Sequence, residues 1–181
     1  KNAIRKTWET KYVSVAPGPI TTHKYYFSPE SSSIDGIGTK GIYHWAKRSF
    51  RYAVYDALAM NLNDLLLNRA KAYKLQDKIT LESDDADAVH QIIDTLVEEC
   101  IGRSIAITDG ETAIKDTMRG CEISIALTGF VIQSRPNQFQ VGDILIGLAS
   151  SGLHANGFSK VRELFGEKNI RPECIEPARV Y

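Results

Sequence analysis

The sequence has no excess of charge of either sign. Lys and Arg together number 22 and Asp and Glu 22 among 181 residues, a formal net charge of zero. Nonspecific nucleic-acid binders draw their affinity from positive charge meeting phosphates, so this balance excludes that class, while a small phosphate ligand met by local charge stays open. Cysteine is scarce. Cys100, Cys121 and Cys174 are odd in number and form no Cys-x-x-Cys pair, which argues against a disulfide framework or a zinc site and fits reduced thiols in a cytoplasmic protein. No apolar run approaches the roughly 18 residues of a membrane helix, and the first residues carry no secretory pattern. Internal repeats and low-complexity tracts are absent as well.

What is present is ordinary in amount and unusual in placement. With 43% hydrophobic residues over 181 positions, the chain is long enough for one domain with a sizeable core. The stretch Ser33-Ile34-Asp35-Gly36-Ile37-Gly38-Thr39-Lys40-Gly41 gathers one carboxylate, three glycines, a hydroxyl and a lysine. Glycines let backbone N–H groups approach an anion, Lys supplies a point charge, and Asp supplies an oxygen for a cation that bridges phosphates. The spacing is neither a Walker loop nor a full dinucleotide fingerprint. Taken alone, the stretch also fits a glycine-rich turn between two strands.

Residues 1–23 are polar and broken by Pro17-Gly18-Pro19, which predicts an irregular arm rather than core. A short strand is expected over 24–27, and 28–33 is loop-like in composition. Over 50–68 apolar residues cover nearly every side of a helix, the mark of a buried one. Its polar residues are therefore informative. Asp56 and Asn63, seven apart, fall within about 20° of each other on one face, and Asp64 lies about 80° from Asp56. A carboxylate on so apolar a helix must be solvated in a cleft, paired with a cation or bound to a metal; a polar stripe facing water is the alternative.

Further on, 72–81 predicts a strand. A helix capped by Ser83 or Asp84 should follow, with Val89, Ile92, Ile93, Leu96, Val97 and Cys100 at helical spacing and Gly102 as its stop. A strand over 105–108 is expected to end at Asp109-Gly110-Glu111-Thr112, and strand ends are where α/β folds commonly place ligands. Alternation of Ile123, Ile125 and Leu127 predicts a strand over 122–133, and 143–150 reads as a short apolar strand. The Ser/Gly/Asn-rich loop 150–157 then leads into a helix over 158–165 ended by Gly166. A strand, a donor-rich loop and a helix start together make a ready anion site. His154 within that loop is either a general acid or base or a polar loop residue. The tail 167–181, punctuated by proline, reads as a linker.

Four of these stretches occur in a familiar order. Asp35-Gly36-Ile37-Gly38-Thr39-Lys40, then Tyr55 to Leu65 with its Asn63-Asp64 pair, then Gly110-Glu111-Thr112-Ala113, then Val141-Gly142-Asp143 through Asn156-Gly157-Phe158-Ser159 resemble aminoimidazole ribonucleotide synthetase, also called phosphoribosylformylglycinamidine cyclo-ligase. The tail Glu176-Pro177-Ala178-Arg179-Val180-Tyr181 resembles the segment opening the second domain of that family. The resemblance covers about residues 34–181. It implies an α/β amino-terminal domain with a mixed sheet packed by helices, which pairs with a second subunit into a barrel. Residues 1–33 are expected as an irregular arm and first strand, and the resemblance implies an ATP-binding domain at 34–166 and a linker at 167–181 leading toward a carboxy-terminal domain.

The activity implied is ATP-dependent ring closure of formylglycinamidine ribonucleotide, with Mg2+ and ATP as cofactors, a small-molecule nucleotide as substrate, and a homodimer that binds neither nucleic acid nor membrane. By motif matching, Asp35, Asp56, Asp64 and Glu111 would gather around Mg2+. Gly36, Gly38, Thr39, Lys40, Asn63, Gly110 and Thr112 would lie near the ATP phosphates. Ser151, Gly152, Asn156 and Gly157 would sit at the substrate side, with His154 a possible proton carrier.

Three departures from the family pattern stand out. The glycine-rich loop ahead of Asp35 has no counterpart in 1–33, Asp109 stands where a first glycine is usual with Ile114-Lys115-Asp116 in place of the acid and Pro that commonly follow, and Arg69 replaces a glycine after the Asn-Asp helix. Other ATP-dependent members of the superfamily are the main alternatives: formylglycinamidine ribonucleotide synthase, thiamine monophosphate kinase, selenophosphate synthetase or the hydrogenase-maturation dehydratase. A noncatalytic dimerisation or nucleotide-sensing domain is a third reading.

Overall fold

The computed structural model describes residues 2–16, 20–24, 30–133 and 138–181. After a 3-10 turn at Ile4–Thr7 come the short strands β1 (Val13–Ala16) and β2 (Ile20–His23), paired antiparallel. Strand β3 (Glu30–Gly36), helices α1 (Gly41–Lys47) and α2 (Phe50–Leu67), strand β4 (Ala70–Leu81), helix α3 (Ala86–Arg103), strands β5 (Ala106–Ile114) and β6 (Cys121–Val131) and helix α4 (Phe158–Phe165) follow. The larger sheet has the order β3-β6-β4-β5, with β4 and β5 parallel and the other pairs antiparallel. Helix α3 makes the crossover that parallel strands require.

One face of this mixed sheet carries the core. Ile123, Ile125 and Leu127 alternate on β6 and meet Leu75, Ile79 and Leu81 of β4 and the apolar side of α2 and α3. On the other face Ile34 is 80% exposed, and Gln76 and Lys78 are exposed beside it. Among the described residues no helix is long and apolar enough to cross a membrane.

Several expectations change in the structure. The arm is not irregular: Val13 and Val15 are buried against Tyr73, Ala106 and Phe130. It also covers the start of the edge strand β5, where Thr7 Oγ1 accepts from Ile107 N–H at 3.1 Å and Trp8 Nε1 donates to Ile107 O at 3.0 Å. Unpaired edges invite wrong pairing, and this cover restricts the open edge to the later half of β5. Pro17-Gly18-Pro19 and, apart from Lys24, the strand expected over 24–27 lie outside the described residues. The serine-rich run expected as loop is strand β3, because pairing with β6 overrides a composition that favours turns.

Helix α3 is capped by Asp85, whose side chain accepts from Ala88 N–H at 2.9 Å, and it ends at the left-handed Ser104, so Gly102 lies inside its last turn. Strand β5 runs through Asp109-Gly110 instead of ending there. Arg69 has φ +52°; the position after α2 demands the left-handed region that glycine enters most cheaply. Residues 143–150 form no strand, and Ile144, Leu145 and Ile146 are all more than four-fifths exposed. Their apolar pattern has no neighbouring strand among the described residues to pair with. The tail, read as a linker, lies against α2 over 178–181.

Candidate active site

The motifs from Asp35 to Lys40, on α2, in the 150–157 loop and in the tail meet at one buried ion pair. Lys40 follows β3 in a 3-10 turn at Gly38–Lys40, and its side chain enters the interior, where both it and Asp56 of α2 are fully buried. Lys40 Nζ lies 2.7 Å from Asp56 Oδ2 and donates to Leu153 O at 2.7 Å and Glu176 O at 2.8 Å, so the ammonium has three acceptors. Asp56 Oδ2 also meets His44 Nε2 at 2.8 Å, and Asp56 Oδ1 accepts from Ala178 N–H at 2.7 Å.

Burial pushes the His44 pKa down, against the pull of Asp56. The neutral ring then carries its proton on Nε2 to serve the carboxylate, while Nδ1 accepts from Ser49 Oγ at 2.9 Å. Burial likewise lowers the Lys40 pKa, opposed by Asp56. A buried charge pair persists only when its remaining donors and acceptors are met, as they are here. Lys40, expected at a phosphate, and Asp56, expected at a metal, are thus engaged with each other and with backbone, and neither faces solvent. Asn63 is similarly occupied: its Nδ2 donates to Arg179 O at 2.9 Å and its Oδ1 accepts from Tyr181 N–H at 3.1 Å.

A second group lies at the β3 edge. Asp35 and Ser33 share the face of β3 turned toward α2. Ser33 Oγ sits 3.0 Å from Asn61 Oδ1 and 3.2 Å from Asp64 Oδ2, and Asn61 Nδ2 donates to Asp35 O at 3.2 Å. Asp35 Oδ1 accepts from Gly36 N–H at 2.7 Å, which leaves Oδ2 uncommitted among the described residues. Gly38, with φ +53° and nothing within 4 Å of an added Cβ, keeps the backbone beside it open. Thr39 Oγ1 lies 3.5 Å from Ser159 Oγ at the start of α4. Asp35, Asp64, Gly36, Gly38 and Thr39 therefore form one partly exposed rim. Asn61, fully buried beneath this rim, supports it and was missed; a polar residue within the apolar run of α2 was its signal.

Asp77 was missed too. It sits on β4 among Leu75, Ile79 and Leu81, on the core face, and is 8% exposed. Its Oδ2 has no hydrogen-bond partner among the described residues. Burial, reinforced by Asp109, raises its pKa to about 6. Its neighbour across the ladder is Gly110, where an added Cβ would stand 2.6 Å from Asp77 Oδ2. A carboxylate at an inward position of an alternating strand was the signal. Glu111 is exposed and lies 3.8 Å from Lys78 Nζ, while Thr112 pairs with Ile79. Because β5 and β3 are opposite edges of the sheet, Glu111 is three strand spacings, about 14 Å, from Asp35.

In the 150–157 loop, Ser151 Oγ donates to Pro177 O at 2.9 Å, and Gly152 lies so close to Glu176 that a Cβ would stand 2.8 Å from Glu176 Cβ. Gly157 caps α4 with φ +69°, and Asn156 is exposed. His154 is half-buried and has no hydrogen-bonded partner among the described residues. A cavity of about 470 Å³ lies beside the loop, lined by residues that include Ser150, Ser151, Gly152, Leu153 and Glu176.

Among the described residues no three His, Cys, Asp or Glu side chains converge as a preformed metal cage. Mg2+ seldom needs one, because it is commonly held by one or two carboxylates together with phosphates and water. Asp35 with Asp64 at the rim fits that donor chemistry.

No protein-family model matches the chain. Sequence relatives are clear, however. The chain is 36% identical over 154 residues to a phosphoribosylformylglycinamidine cyclo-ligase of Saccharolobus solfataricus, covering 81% of this chain and 48% of that protein. By sequence, the chain is a relative of the phosphoribosylformylglycinamidine cyclo-ligases. The cyclo-ligases of Latilactobacillus sakei, 34% identical over 146 residues with 76% of this chain and 42% of that protein covered, and of Pyrococcus horikoshii, 31% over 161 residues with 81% and 48%, agree. The match falls in the amino-terminal region of these cyclo-ligases, and the chain spans about half their length.

Solved structures bear on the fold. The hydrogenase maturation protein HypE aligns with a TM-score of 0.54 at 13% identity, over 74% of this chain and 40% of that one. Thiamine-monophosphate kinase from Stenotrophomonas maltophilia K279a aligns with 0.50 at 16% identity, over 71% and 40%. HypE in complex with ATP aligns with 0.50 at 15% identity, over 62% and 33%. The α/β fold with a mixed sheet packed by helices, as expected from the motifs, is therefore the fold observed.

Proposed function

We propose that the protein serves the ATP-dependent ring closure of formylglycinamidine ribonucleotide to aminoimidazole ribonucleotide in purine biosynthesis, in the cytoplasm. The observation that carries this reading is the relationship to cyclo-ligases at 36% identity across four-fifths of the chain. ATP use gains support from the likeness of fold to HypE, which has been solved with ATP. In the proposed reaction the γ-phosphoryl group of ATP passes to the amide oxygen of the substrate. The amine nitrogen then attacks the activated carbon, and the C–O bond breaks to release phosphate. When bound, Mg2+ would offset charge on the transferring phosphoryl group.

The chain's own residues would bind and orient. Asp35 and Asp64 present carboxylate oxygens at the rim, Gly36 holds the Asp35 carboxylate through its N–H, and Gly38 and Thr39 lie beside them toward the phosphates. Ser151, Gly152, Asn156 and Gly157 would face the substrate, and His154 is the group there able to move a proton near neutral pH. Glu111, with Gly110 and Thr112, lies too far from Asp35 within one chain. A homodimer in which the later half of β5 meets β3 of a second copy would bring them together and close both open edges into a barrel.

The test is to supply formylglycinamidine ribonucleotide and Mg-ATP and follow both ATP consumption and the aminoimidazole product. ATP turnover without that product would favour another ATP-dependent member of the superfamily, the second reading, which the likeness of fold to HypE and thiamine-monophosphate kinase supports. Absence of any Mg2+-dependent ATP binding would favour a noncatalytic domain.

A further inference from the structure

The segment 176–181 lies on α2 through its backbone, and the groups that hold it are three side chains from two of the motifs. Asn63 behaves as a strand would: its amide gives one hydrogen bond to Arg179 O and takes one from Tyr181 N–H, at 2.9 and 3.1 Å. Asp56 takes Ala178 N–H at 2.7 Å, and Lys40 gives to Glu176 O at 2.8 Å. The same segment grips the preceding loop. Pro177 O accepts from Ser151 Oγ at 2.9 Å, Arg179 Nη1 donates to Ala149 O at 3.4 Å, and Lys40 reaches Leu153 O at 2.7 Å.

We infer that Lys40, Asp56 and Asn63 are positioning residues that bind the 176–181 backbone as a strap, and that the strap in turn fixes the 149–154 loop. The physical case is one of satisfaction. Four backbone groups of the strap and one of the loop find partners in three side chains, two of them fully buried, and a buried polar group that loses its partner costs more than an exposed one. The strap and loop therefore come off together or not at all. Specificity for strap over ligand follows from the same geometry, since Lys40 has no donor left and neither it nor Asp56 reaches solvent while the strap is docked. The inference rests on the cyclo-ligase reading only in taking the loop as the substrate side.

The experiment uses the ligand-free protein and NMR hydrogen exchange. Asn63 is half-buried at the helix surface, so Asn63→Ala leaves the core intact. It should speed exchange at Tyr181 N–H by several-fold to roughly tenfold, as the loss of one net hydrogen bond implies. It should also speed exchange of the Lys40 ammonium protons and shift the Leu153 and His154 amides, none of which Asn63 touches. Ser151→Ala, made from the loop side, should loosen Ala178 N–H reciprocally. A change confined to Tyr181 in the first variant, with Lys40 and the loop unmoved, would overturn the inference. Failure of ring closure with this coupling intact would instead count against the cyclo-ligase reading alone.

Discussion

Asp77 offers the sharpest physical test of the core. Its carboxyl is buried beside Gly110, one oxygen lacks a partner among the described residues, and its pKa is raised from about 3.8 to about 6 by burial and by Asp109. Below pH 4 the group is protonated in folded and unfolded chains alike and costs nothing. Between pH 4 and 6 the unfolded chain releases its proton while the folded chain keeps it, so stability falls as pH rises. Above pH 6 the full penalty stands, and with about 1.4 kcal/mol for each factor of ten it reaches up to about 3 kcal/mol.

Asp77→Asn removes the charge and keeps the shape. The stability difference, variant minus wild type, should therefore climb by up to about 3 kcal/mol between pH 4 and pH 7.5. Urea unfolding of both proteins across that range measures it, and titrating groups not coupled to Asp77 cancel in the difference. A difference independent of pH, or one that shrinks as pH rises, would refute the reasoning.

Gly110→Ala should destabilise by about 1–3 kcal/mol, because its Cβ would stand 2.6 Å from Asp77 Oδ2, and Asp77→Ala in the same chain should recover most of that loss in thermal unfolding. Lys40→Met should cost about 3–5 kcal/mol by leaving Asp56 buried and uncompensated, and pairing it with Asp56→Leu should restore much of the stability on denaturant titration. Asp64 is exposed at the rim, so Asp64→Ala should leave unfolding unchanged and weaken Mg-ATP binding roughly tenfold or more, about 1.4 kcal/mol, by calorimetry.

The helices and core strands were legible because their periodicity is strong. The pattern over 50–68 becomes α2, and alternating Ile123, Ile125 and Leu127 becomes β6. The serine run of β3 was not legible, since its strand state comes from pairing with β6 rather than from its own propensity. Nor was the burial of Val13 and Val15, which depends on Tyr73 and Phe130 from distant positions.

At the site, the polarity of Asp56 on an apolar helix left a solvated cleft, a paired cation or a metal open, and the structure pairs it with Lys40. The choice could not be made from spacing, because the partner arrives through the fold of a separate motif. Asp77 escaped notice because a carboxylate within a strand looks solvated until its face is known. Residues 143–150 show the opposite failure: the apolar pattern was real, but a strand needs a partner strand to pair with.

The central claim is phosphorylation of the substrate's amide oxygen by ATP, and isotope transfer tests it most directly. Formylglycinamidine ribonucleotide carrying 18O in its amide group is turned over with Mg-ATP, and the released phosphate is examined by mass spectrometry. Ring closure by this route places one 18O in each phosphate formed, in step with aminoimidazole product. Product that forms while the phosphate stays unlabelled, with the 18O recovered in water, would contradict it.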